Sequence, residues 1–174
     1  MQKSIRVAFD RLRSYVYGDG GEFKAVPCLY CGLPSKDEEH VVPHSFLKHL
    51  RDTGYVREEV LVPSCRECNL IASNNVFDSY EDKYDYIHCR LRDKYRKVLE
   101  MPEWTQSELM ALGPRLKRYM RSQLRLKALI LDRLAWNPNN VLTVDEKSKL
   151  IAHGSVSAAT RVATNTTSIA VTGL

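Results

Sequence analysis

No run in this 174-residue sequence approaches the roughly 20 apolar residues that a membrane span requires. The opening Met1-Gln2-Lys3-Ser4-Ile5-Arg6 leads into no signal-peptide core. Together these absences set the expectation of a cytoplasmic protein. Cysteine is scarce, at five residues, and in a reducing compartment close cysteine pairs hold metal more often than they form disulfides. Acid is the scarcer charge, with 21 acidic against 26 basic residues, and the net charge of +5 weakly favours a polyanionic partner. What remains is ordinary: hydrophobic content of 44% and charged content of 27% suit a globular chain with a buried core.

Four of the five cysteines form two Cys-x-x-Cys knuckles, Cys28-Leu29-Tyr30-Cys31 and Cys65-Arg66-Glu67-Cys68. Two close pairs of thiolates match a closed tetrahedral zinc site, each pair gripping one side of the ion. Cys89 has no partner and reads as a small buried residue. Between the knuckles lies Glu38-Glu39-His40-Val41-Val42-Pro43, and Asn69 follows the last cysteine. Zinc needs none of Glu39, His40 or Asn69. As a set they suit binding of a hard cation and transfer of a proton.

The chain divides into four segments: residues 1–21, 22–77, 78–140 and 141–174. Residues 4–17 read as a basic amphipathic helix, ended by Gly18-Asp19-Gly20-Gly21. Glu39-His40-Val41-Val42 and Val60-Leu61-Val62 are rich in β-formers and read as short strands, and a helix opens at Cys68. A helix is expected over 78–100, ended by Pro102. Thr105-Gln106-Ser107-Glu108 is a capping box that should open a long helix, kinked near Gly113-Pro114 and stopped at Trp136-Asn137-Pro138. In that helix Leu109, Leu112, Leu116, Met120, Leu124, Ala128 and Leu131 form an apolar stripe. Arg115, Lys117, Arg118, Arg121, Arg125 and Lys127 face little acid and suit phosphate contacts. A short helical turn is expected over 145–152, and residues 155–174 are expected to be poorly ordered. Tyr80, Tyr84 and Tyr95 could stack on bases, but at this spacing they more often pack one helix on another.

Glu39-His40-Val41-Val42-Pro43 followed by Leu61-Val62-Pro63-Ser64-Cys65-Arg66-Glu67-Cys68-Asn69 resembles the HNH endonuclease family. The resemblance covers about residues 26 to 76. It implies an α+β protein whose ββα-metal core (the His-Me finger) is stapled by zinc and flanked by an N-terminal helix and C-terminal helices. It further implies a metal-dependent hydrolase of DNA phosphodiester bonds, in which His40 takes the proton of the attacking water. Glu39 and Asn69 would hold one Mg²⁺ or Mn²⁺ ion, and the products would be a 5′-phosphate and a 3′-hydroxyl. The family's middle asparagine falls at about Glu58 or Glu59 here, and Glu58, His44 and Asn74 are candidates for support. His49, His88 and His153 carry no motif and read as structural.

Compactness and a free-standing HNH core are similar to phage or mobile-element enzymes, which would place the protein in a bacterial host's cytosol. The expected partner is double-stranded DNA, branched DNA included, acted on by a monomer that nicks or a homodimer that cuts both strands. The rival is a non-catalytic zinc-ribbon module that binds nucleic acid. It uses the same cysteines and leaves His40 without a task.

Overall fold

The structure, a computed structural model, describes residues 4–7, 26–52 and 58–153, and for residues 4, 5 and 153 the backbone alone. Its sheet has three strands in the order β1-β3-β2, with β1 Ser4–Arg6, β2 Asp37–His40 and β3 Glu59–Ser64. Strands β2 and β3 are antiparallel, with Glu39 opposite Val62 and His40 opposite Leu61. Strand β1 pairs parallel to β3. β3 is therefore central and buried along almost its whole length, which is why Val60-Leu61-Val62-Pro63 shows no polar alternation.

The first strand corrects the expected N-terminal helix over residues 4–6. Ile and Val suit extended backbone, Val7 is buried in the core, and β3 would otherwise present an unpaired edge. The rest of that expected helix, its glycine break and the 155–174 tail lie outside the described residues.

Helix α1, His44–Asp52, joins β2 to β3, and α2, Arg66–Ala72, follows β3 directly. The order strand, strand, helix is the expected one. Helix α3, Tyr80–Leu99, is capped by Ser79, whose hydroxyl accepts from Asp82 N, and packs on α2. The capping box at Thr105 forms, but its helix α4 spans only Gln106–Ala111. Helix α5, Pro114–Ala135, starts afresh with Gly113 as its N-cap and Pro114 in its first turn. The expected kink is thus a complete break, because proline has no N–H to continue a hydrogen-bond ladder. Helix α6, Val144–His153, packs on β3.

The apolar stripe expected across this region is also corrected. Leu109 and Met120 are buried, but Leu116 and Leu131 are 50% exposed. The break resets the helical phase, and α5 instead turns Met120, Ile130 and Arg133 inward as it packs on α3. Lys127 belongs to packing rather than to an acid-free face, since its ammonium donates to Met101 O and pairs with Glu103. Cys89 is exposed, not buried.

Gly32, just past the first knuckle, has φ +72 and donates its N–H to Cys28 O at 2.9 Å. A Cβ there would lie 2.6 Å from the Trp136 ring. Gly32→Ala is expected to destabilise the protein by about 2 kcal/mol or more, from left-handed backbone strain and overpacking together. The midpoint of chemical denaturation reads this directly.

Candidate functional site

The four Sγ atoms of Cys28, Cys31, Cys65 and Cys68 lie within 4.8 Å of one another, and all four residues are buried. The Cys31 to Cys65 separation is 3.7 Å. A tetrahedron with metal–sulfur bonds of about 2.3 Å has edges of roughly 3.8 Å, so the cluster fits zinc. Hydrogen bonding within the cluster holds the Cys31 and Cys65 thiols down, burial pushes Cys28 up, and the cluster's bonding pushes Cys68 up. A dication would satisfy all four as thiolates.

Residues from distant helices fix the knuckles. The Tyr80 hydroxyl and Trp136 Nε1 both donate to Leu29 O, at 3.3 and 3.1 Å, and His88 Nε2 donates to Tyr30 O at 2.6 Å. His88 is thus structural. Tyr80, Tyr84 and Tyr95 serve packing: Tyr84 donates to Trp136 O and Tyr95 to Glu67. In the second knuckle Glu67 pairs with Lys94 and with the buried Arg133, whose Nη1 lies 2.7 Å away. Burial pushes the Glu67 carboxyl up, but Lys94, Tyr95 and Arg133 together hold it below the usual carboxylate range. Burial lowers the Arg133 pKa, yet Cys31 and Glu67 raise it overall, so Arg133 stays cationic beside a cluster that carries net negative charge when loaded.

At the end of β2 the chain's alternation separates neighbours. Glu39 points into the core, 4% exposed, whereas His40 points outward, with its side chain 34% exposed. On the outward side, Glu59 Oε2 lies 3.5 Å from His40 Nε2, and Glu59 Oε1 lies 3.9 Å from His44 Nε2 and 3.6 Å from Arg51 Nη2. The two imidazole rings meet edge to face at 5.6 Å, and Arg51 Nη2 is 3.3 Å from His44 Nε2. Of the two candidate glutamates, Glu59 rather than Glu58 reaches the histidine. A carboxylate facing Nε2 favours the tautomer with its hydrogen there and the lone pair on Nδ1. Burial holds the His40 pKa below its ordinary value against the opposing pull of Glu59, which keeps the ring neutral and able to accept a proton.

On the inward side, Lys83 Nζ lies 2.5 Å from Glu39 Oε1 and also donates to His40 O at 3.0 Å and Val41 O at 3.1 Å. The expected Mg²⁺ or Mn²⁺ position does not fit this arrangement, because an ion on Glu39 would have to displace the ammonium. Asn69 is half-buried on α2, its N–H bonded to Cys65 O, and α2 packs on β2. Asn74 is exposed in the turn after α2, with no side-chain hydrogen bond among the described residues.

Lys83 and Arg51 were not singled out in the sequence, whereas Glu59 was one of two candidates for the middle position. Lys83 had one signal: it falls on the same face of α3 as Tyr80, Ile87 and Leu91, where a lysine interrupts an apolar stripe. On α5, Arg115, Arg118, Arg121 and Arg125 are exposed and Lys117 half-buried, and none is in an ion pair among the described residues. No described helix is long and apolar enough to cross a membrane. Comparison with protein-family models, with curated proteins and with solved structures gives no match.

Proposed function

We propose that this chain is a phosphodiester hydrolase of the HNH type, built on a zinc-stapled ββα-metal core and acting on DNA. The observation that carries the reading is the pairing of a half-exposed His40 with Glu59 on the outer end of a strand pair that the four-cysteine cluster supports.

In this reading His40 Nδ1 takes a proton from water, the resulting hydroxide forms a P–O bond, and the 3′ oxygen leaves with a proton from solvent. Glu59 steadies the ring and the imidazolium that forms. Arg51 and His44 stand beside His40 and suit the non-bridging oxygens of the phosphate. Arg115, Arg118, Arg121 and Arg125 suit backbone contacts that position a duplex without reading its sequence. The Mg²⁺ or Mn²⁺ ion that the resemblance implies is not carried into this mechanism, since Glu39 is occupied by Lys83. That same occupation favours the second reading, a non-catalytic nucleic-acid-binding module. The exposed Leu116 and Leu131 leave α5 able to meet a second copy, as a double-strand cutter would need.

The test is incubation of zinc-loaded protein with supercoiled plasmid. Nicking is expected, with a rate about 10² to 10⁴ lower in His40→Ala. Folded protein that cleaves neither plasmid, branched DNA nor RNA while still retarding DNA in a gel would select the binding module.

A further inference from the structure

We infer that Lys83 is the built-in cation of an oxygen-lined site formed by Glu39 and the carbonyls of His40 and Val41, standing where a divalent ion would otherwise bind. Three oxygens surround Nζ: the Glu39 carboxylate in an ion pair at 2.5 Å, and the His40 and Val41 carbonyls, which accept hydrogen bonds at 3.0 and 3.1 Å. A carboxylate with two backbone carbonyls is also the donor set that holds hard cations. The Lys83 side chain is 1% exposed and that of Glu39 5%, so solvent reaches neither.

The surroundings are arranged around the pair. Tyr30 and Ser64 hydroxyls lie beside the carboxylate, and the Phe77 ring covers the ammonium at 6.0 Å. Neither carboxylate oxygen of Glu39 makes a hydrogen bond of good geometry, so its ion pair with Lys83 is its main compensation in the core. Burial drives the carboxyl up and the ammonium down, and each opposes the shift of the other. A lysine at this depth is costly unless paired, and an apolar residue would fill the same volume on α3. What the ammonium adds is position: it ties α3 to the two carbonyls that flank the end of β2, and so sets where His40 sits. Lys83 is therefore a positioning residue, and its service to catalysis rests on the hydrolase reading, whereas its occupation of the cation site does not.

The test is Mn²⁺ binding to zinc-loaded protein, followed by electron paramagnetic resonance and by thermal melting. Wild type is expected to bind no Mn²⁺ that depends on Glu39. Lys83→Ala is expected to take up one ion with affinity at least about tenfold higher and to melt higher when Mn²⁺ is added, both effects vanishing in Lys83→Ala/Glu39→Gln. Binding of one Mn²⁺ by wild type that Glu39→Gln removes would overturn the inference, and that comparison decides it even if Lys83→Ala fails to fold. A folded Lys83→Ala that takes up no ion would overturn it too, because the position would then be no cation site. Plasmid nicking separates the two readings: cleavage that survives a chelator which leaves zinc bound supports both. Cleavage lost to that chelator spares the hydrolase, and together with Mn²⁺ binding that Glu39→Gln removes it overturns the inference.

Discussion

Replacement of Cys68 by serine, or extraction of the metal by a strong chelator, is expected to abolish cooperative unfolding of this chain. Cys28 and Cys68 are fully buried, and the knuckles they anchor are bonded to α3 through Tyr80 and His88 and to the end of α5 through Trp136. Without the ion, four thiols are left in the centre with poor partners, and the clamps hold nothing rigid. A structural zinc contributes about 10–16 kcal/mol at neutral pH. The net stability of a domain is only about 5–15 kcal/mol, so little or no margin remains. Thiol labelling gives an independent reading. Folded, loaded protein should react at the exposed Cys89, and the metal-free protein at all five cysteines. A Cys68→Ser variant that melts cooperatively near the wild-type temperature would show that the cluster is not the keystone.

Glu39→Ala should cost about 3–5 kcal/mol, because it leaves the Lys83 ammonium in the core with carbonyls alone for company. The side chains are almost inaccessible, so water cannot repair the loss as it would at a surface pair. Lys83→Met should cost a similar amount by stranding the carboxylate. The double variant Glu39→Gln/Lys83→Met removes both charges, keeps the volume, and should recover most of the loss. Denaturant midpoints of wild type, Glu39→Gln, Lys83→Met and the double variant give the coupling as a double-mutant cycle. Additive single effects would mean that the pair is not a unit, and a cheap Glu39→Ala would mean that water reaches Lys83.

What could be read in the sequence was whatever chemistry or local backbone dictates. The cysteine spacing announced the cluster, the helical spacing over 78–100 with Pro102 after it marked α3, and Trp136-Asn137-Pro138 ended α5. Three residues of β1 gave too short a pattern to compete with the helical periodicity around them, and only the bare edge of β3 selects the strand. The stripe over α4 and α5 failed because a periodicity assumed continuous was cut at Gly113-Pro114. Glu59 and Lys83 owe their importance to partners far along the chain, His40 in both cases, and no local rule reports such a meeting. Glu39 and His40 shared one motif in the sequence, yet strand alternation sends one to the core and the other to the surface.

The most direct test of the hydrolase reading is the pH dependence of plasmid cleavage by wild type and by His40→Ala. Burial disfavours the charged ring, so His40 should already be an unprotonated base somewhat below the ordinary histidine value of 6.5. The wild-type rate should rise with pH through an inflection below that value and reach a plateau above it, while the residual rate of His40→Ala should lack the inflection. An inflection that survives the loss of His40 would assign the base to another group and contradict the reading.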